Sequence, residues 1–226
     1  MKRSLSALVI CAAFAASAAA QQQAAPRPTP PPRPAEVADP HAGHHMGEQQ
    51  AQQQSPAAKY FSDVELLDQD GRKVRFYTDM LKGKTVVINA FFTTCTSVCP
   101  PMNRNLEKVQ EALGDRLGKD VFIVSISVDP TTDTPTRLKE YAQRFHAKTG
   151  WTFLTGKKEN VDWALYKVGQ YVESRDDHTT VIIIGNEATG LWKKALGMAK
   201  PAELIPIVYS VADDEGGAGH AKGAPK

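Results

Sequence analysis

Two cysteines four residues apart, Cys95 and Cys99 in FFTTCTSVCPPM (91–102), are the side chains of this 226-residue sequence best suited to chemistry. They follow an apolar run and precede Pro100 and Pro101, which suit the first turn of a helix. This predicts Cys95 in a loop after a strand and Cys99 just before a helix. Backbone N–H groups at a helix start lack partners, and the helix dipole is positive there, so a nearby thiolate is stabilised. Three readings are open: a short structural disulfide, a redox-active pair, or two ligands of a metal. The i, i+4 spacing can close an S–S bond within the usual Cα separation. It pins so few residues that it would stabilise little. As ligands, thiolates favour Cu(I), Zn(II) or iron–sulfur units. Two are too few for a structural zinc site, which takes four. A third ligand has to come from elsewhere in the fold, and histidine is the type to look for.

The elements that must position this pair occupy the middle of the chain. Residues 1–20 read as an export signal: Lys2 and Arg3, the apolar run LSALVICAAFAA, then small residues before Gln21. The apolar run is short for a membrane span; an uncleaved anchor facing the periplasm is the alternative. Cys11 leaves with a cleaved signal, so the mature chain keeps only Cys95 and Cys99. Loss of Lys2 and Arg3 also brings the 27 basic residues level with the 25 acidic ones. With no long basic run, nucleic acid is not an expected partner. Residues 21–58 carry eight Gln and eight Pro, including PRPTPPPRP at 26–34, and predict a disordered or polyproline-like tether. Residues 213–226 predict a disordered tail. Between them lies one domain, 59–212.

Inside that domain, Val64, Leu66, Val74 and Phe76 flank DQDG at 68–71 and predict a β-hairpin. TVVINAFF (85–92), VFIVSISV (121–128), Trp151 to Leu154 and TVIIIG (180–185) read as strands, with LWKKAL (191–196) as a hairpin partner of the last. Met102, Leu106, Val109 and Leu113 recur at helical spacing, with Gly114 as the stop. Further helices are expected over 134–145, around Val161 to Val168, and from Pro201 to Val211. Buried strands alternating with helices give an α/β fold with helices on both faces of a central sheet. A cysteine pair where the first long strand meets its helix makes that architecture thioredoxin-like, with an N-terminal β-hairpin.

The mature chain has six histidines, His41, His44, His45, His146, His178 and His220, of which His146 and His178 lie inside the domain. His146 follows a helix and reads as an ordinary surface residue, and His220 is isolated. His178 lies in SRDDHTT, the loop entering TVIIIG. In a thioredoxin-like fold that loop lies beside the cysteine loop, where redox enzymes place a cis-proline. Here it has His178-Thr179-Thr180 instead: a ligand gained, and the residue typical of general disulfide exchange absent. Asp129, Asp176 and Asp177 are candidates to orient the imidazole.

Four blocks together resemble the Sco/SenC family of copper-binding, thioredoxin-like proteins that assist cytochrome c oxidase assembly. They are FFTTCTSVCPPM (91–102), VSISVDPTTDTPTRLKEYAQRF (124–145), WTFLTG (151–156) and DDHTTVIIIGNEATG (176–190). The resemblance covers about 60–211. It implies Cys95, Cys99 and His178 as ligands of copper, as Cu(I), Cu(II) or both. It implies a periplasmic copper chaperone that delivers the metal to the copper-binding subunit of an oxidase, loaded by an upstream copper donor or kept reduced by a thiol reductant. The alternative is a partner-specific thiol–disulfide oxidoreductase that reduces that subunit's cysteines through Cys95 and Cys99. The sequence differs from many relatives in its cleavable signal and long tether. Within the tether, His41, His44, His45 and Met46 are candidates for accessory copper capture, since imidazole suits Cu(II) and thioether Cu(I). A solvated polar patch is the bland alternative for those four.

Overall fold

The computed structural model describes residues 29–34 and 56–216. The expected signal, the His41–Met46 cluster and His220 lie outside the described residues. Among the described residues no helix is long and apolar enough to cross a membrane.

Seven strands form one mixed sheet: β1 (Glu65–Asp68), β2 (Lys73–Arg75), β3 (Thr85–Phe91), β4 (Val121–Ser127), β5 (Trp151–Thr155), β6 (Val181–Asn186) and β7 (Leu191–Leu196). Their order is β2-β1-β5-β4-β3-β6-β7. The centre is parallel, β3 with β4 and β4 with β5; β6 joins β3 antiparallel. Among the described residues five α-helices flank it: α1 (Pro56–Phe61), α2 (Cys99–Leu113), α3 (Pro135–Arg144), α4 (Lys158–Lys167) and α5 (Pro201–Ala212).

β3 is buried along its whole length, so it must be covered on both faces. Its side chains alternate between them. Val87 and Phe91 join Leu106 of α2, Leu138 of α3 and Leu204 of α5. Val86, Ile88 and Ala90 join Phe61 of α1 and Val161 and Leu165 of α4. The stripe Met102, Leu106, Val109 and Leu113 of α2 is buried as its spacing predicts. Gly185 has a packing reason: a Cβ there would stand 2.1 Å from the Trp192 ring.

The predicted hairpin forms, with Leu66 opposite Val74, and Gly71 takes a positive φ in its turn. It ends one residue early. Phe76 opens a wide helical turn, Phe76–Leu81, that buries Phe76, Tyr77 and Leu81. Carboxylates stop the strand: Asp79 accepts the Arg75 N–H at 2.7 Å, and Asp63 accepts the Thr78 N–H at 2.7 Å. The described helices also begin before residue 59, because α1 starts at Pro56. At the far end, Asp213 pairs with Arg116 at 2.6 Å.

Candidate metal centre

β3 delivers the chain to the loop carrying Cys95, and Cys99 is the first residue of α2 rather than the residue before it. The helix has no side-chain oxygen cap. In its place the Cys99 N–H, an unpartnered donor at the helix start, donates to Cys95 Sγ at 3.4 Å. No bond joins the two sulfurs. They differ in environment. Burial opposes the Cys95 thiolate, but hydrogen bonds from the Cys99 side chain and from the N–H groups of Cys99, Ser97 and Val98 outweigh it and lower its pKa. Burial, then the hydrogen bond to Cys95, pushes the Cys99 thiol far up. In reduced, metal-free protein, iodoacetamide should therefore modify Cys95 first, because its thiolate is the stabilised one and Cys99 is fully buried. Peptide mass spectrometry at short times reads this; equal labelling of both would contradict the asymmetry.

His178 enters from the loop before β6. Its Nε2 stands 3.3 Å from Cys99 Sγ, and one donor atom from each of Cys95, Cys99 and His178 lies within 4.8 Å of the others. Among the described residues this trio is the group of histidine, cysteine and carboxylate side chains able to hold a metal. A backbone carbonyl and an aromatic ring hold the imidazole. Its Nδ1 stands 2.9 Å from the Arg175 carbonyl, which can only accept, so Nδ1 carries the proton and Nε2 is free to ligate. Its ring meets Phe92 edge to face at 5.1 Å. The Arg175 guanidinium in turn lies over that Phe92 ring, 5.3 Å from its centre.

The expected orienting carboxylates act differently. None of Asp129, Asp176 and Asp177 has a hydrogen bond to the ring. Asp129 acts at one remove: it pairs with Arg175, the residue whose carbonyl holds the imidazole. Four residues on, the fully buried Asp133 accepts the Thr93 N–H at 3.1 Å, the Thr93 hydroxyl, and the Ser127 hydroxyl at 2.6 Å. Thr134 then caps α3 by accepting the Arg137 N–H. The stretch DPTTDTP after β4 thus grips the histidine loop with its first aspartate and the cysteine loop with its second. Asp133→Ala should strand the Thr93 and Ser127 donors in the interior and cost about 2–3 kcal/mol of stability. Thermal unfolding checks this; a melting temperature equal to wild type would show that the cysteine loop holds itself.

Beneath the site runs a buried polar chain. Trp151 Nε1 donates to Ser125 Oγ (2.9 Å), Ser125 to Asn89 (2.6 Å), Asn89 to Asn103 (3.2 Å), and Asn103 to the Tyr141 hydroxyl (2.9 Å). It fixes α2 against β3 one turn beyond Cys99. Asn89, a lone amide in the apolar run TVVINAFF, was its one visible sign in the sequence. His146 is not brought to the site; its Nδ1 pairs with Glu107 at 2.6 Å on the outer part of α2.

The donor set fits a soft, low-coordinate ion. Sulfur and nitrogen ligands at roughly 2.3 and 2.0 Å from one metal stand about 3.5–4.5 Å apart. The three atoms already lie close to that spacing, with the softness that Cu(I) prefers and an imidazole acceptable to Cu(II).

Comparison with known proteins gives the same picture. The family model described as SCO1/SenC matches residues 52–210. A SCO1 protein homolog of Bacillus subtilis (strain 168) is 34% identical over 118 residues, covering 51% of this chain and 60% of the relative. The crystal structure of a SCO1/SenC family lipoprotein from Bacillus anthracis str. Ames superposes with a TM-score of 0.58 at 30% identity, covering 67% of this chain and 94% of that one. Arabidopsis thaliana ScoI with copper bound superposes at 0.57 with 25% identity, over 69% of this chain and 99% of that one. The chain spans about half the length of the curated relatives it matches.

Proposed function

The chain belongs to the SCO1/SenC family, and on that premise we propose that it binds copper through Cys95, Cys99 and His178 and delivers it to the copper centre of a cytochrome c oxidase. One observation carries the reading: two thiols and an imidazole converge within 4.8 Å, with Nδ1 tied to a carbonyl and Nε2 facing Cys99. A related Sco structure holds copper. The site suits a carrier. His178 is only partly buried, and Cys95 lies in a loop, so incoming ligands of a recipient can exchange onto the metal one at a time. The signal-like residues 1–20 and a relative described as a lipoprotein support action outside the cytoplasmic membrane, in the periplasm. The His41, His44, His45 and Met46 group is proposed as an accessory capture tract.

The test is direct. The reduced full chain is titrated with Cu(I) against a competing chelator, and oxidase copper content is measured in a deletion strain carrying the wild-type chain. One equivalent held by the domain, with restored oxidase copper, supports delivery. An unmetallated protein under these conditions overturns it.

The asymmetry of the cysteine pair favours a second reading. The Cys95 thiolate attacks a disulfide of the oxidase subunit, releasing one partner thiolate and forming a mixed disulfide. Cys99 then attacks Cys95, the second partner thiol leaves, and the two electrons of the Cys95–Cys99 dithiol have passed to the partner. A Cys99→Ser variant traps the mixed disulfide in this reading; failure to trap it from cells with unmatured oxidase counts against it.

A further inference from the structure

Trp163 is a large buried aromatic side chain, only 7% exposed, that stands apart from the two main apolar clusters, which fill the faces of the sheet. Its cover comes from elsewhere. Tyr166 stacks with it at 5.9 Å, the Lys167 ammonium lies over the ring at 4.8 Å, and the Arg33 guanidinium lies over it at 5.6 Å. Tyr166 in turn meets Tyr171 edge to face at 6.5 Å. The three rings form a ladder along α4 and the turn that follows.

Arg33 belongs to TPPPRP (29–34), which lies against the domain here. Pro31 is buried, and the Thr29 hydroxyl donates to Glu173 at 3.1 Å. Burial, and then the nearby Arg33 charge, lowers the pKa of Lys167. Consecutive prolines hold an extended left-handed helix without internal hydrogen bonds, so little entropy is lost when they dock. Aromatic-lined surfaces recognise such segments through the proline rings. A flanking arginine adds a cation–π contact.

We propose that the Trp163–Tyr166–Tyr171 face is a polyproline-binding site, occupied by residues 29–34 of the same chain. The expected tether is then divided. Lys167 lies beside Arg33 and also over the Tyr60 ring of α1, at 4.6 Å. Arg33 and Tyr60 of α1 therefore both reach the patch around Lys167. Because the ligand is joined to the domain, weak intrinsic affinity suffices to keep it seated.

The experiment uses the full chain labelled with fluorotryptophan. Its three tryptophans give three resonances, with Trp163 assigned through Trp163→Phe. The variant Pro30→Ser/Pro31→Ser/Pro32→Ser should shift the Trp163 resonance and leave those of Trp151 and Trp192 in place. A peptide of residues 26–34 added to this variant should return the Trp163 signal saturably towards its wild-type position, and a peptide with serines for the three prolines should not. An unmoved Trp163 signal in the variant overturns the proposal. So does a shift that the proline peptide does not reverse. Movement of all three resonances with loss of cooperative unfolding also overturns it, since the segment would then be a structural part of the fold rather than a ligand.

Discussion

Cys95→Ser/Cys99→Ser should abolish copper binding by the domain. Two of the three donors go, and both are the soft ones. Serine oxygen is a poor partner for Cu(I), and the remaining imidazole alone cannot hold it against a chelator. The loss should far exceed the roughly 10–100-fold that removing an outer-shell partner costs. The fold should survive. Serine is nearly the size of cysteine, and a hydroxyl at position 95 still accepts the Cys99 N–H that now goes to sulfur at 3.4 Å. The cost comes at position 99, where a fully buried hydroxyl replaces a thiol; it should be about 1–3 kcal/mol if the hydroxyl finds no partner. Chelator competition and thermal unfolding on the same preparation separate the two effects. Copper still bound at one equivalent and with wild-type affinity to a folded double variant would remove this site from the function. If accessory capture at His41, His44, His45 and Met46 occurs, it adds a weaker equivalent that persists in the double variant and disappears when those four residues are replaced as well.

The parts of this site that could be read in the sequence are those written in side-chain periodicity. TVVINAFF had to be a central strand because an unbroken apolar run needs cover on both faces. The spacing of Met102, Leu106, Val109 and Leu113 fixed which face of α2 turns inward, and so placed Cys99 at the helix start above the sheet. The loop before β6 brought His178 to the cysteines through topology alone. What escaped was written in partners rather than in types. The group that sets the His178 tautomer is a backbone carbonyl, Arg175 O, and every residue has one. Asp129 was a visible candidate, but its action through Arg175 depends on a contact 46 residues away in sequence. Asp133 carried no signal of its own in the sequence; its carboxylate is taken up by Thr93 and Ser127. The arm gave the same lesson. Its composition predicted a chain without a core, and composition carries no signal for a tryptophan waiting on α4.

The grip of one segment on both ligand loops bears on how the site can work. Asp129 and Asp133 are four residues apart on a single connection between β4 and α3, so the histidine and cysteine loops share an anchor. Motion of either ligand relative to the other has to strain that anchor or break one of its bonds. The three donors are accordingly presented together, while the exposed side of His178 remains open to a partner. A carrier needs this combination. Preorganised donors avoid an ordering cost on metal uptake, and one accessible ligand gives a recipient a place to begin exchange.

His178→Ala should separate the carrier from the reductase. The substitution removes one hydrogen bond to a carbonyl and one edge-to-face contact with Phe92. The folding cost should be about 1 kcal/mol. Copper should respond by oxidation state. Cu(I) can remain on the two thiolates, held more loosely, whereas Cu(II) loses its only imidazole and should be bound far more weakly. The Cys95–Cys99 disulfide should still form, since the imidazole takes no part in joining two sulfurs. Trapping of a partner on Cys95 in a His178→Ala/Cys99→Ser chain should likewise persist if reduction is the function. The measurement is paired: affinities for both copper states and oxidase copper content in cells, set beside the potential of the cysteine pair. Weakened Cu(II) binding with failed oxidase maturation and an unchanged disulfide assigns the function to the metal. Impaired copper binding with normal maturation assigns it to the thiols. Unchanged affinity for both states would show that His178 is an ordinary loop histidine, and that its 3.3 Å approach to Cys99 serves the loop rather than the metal.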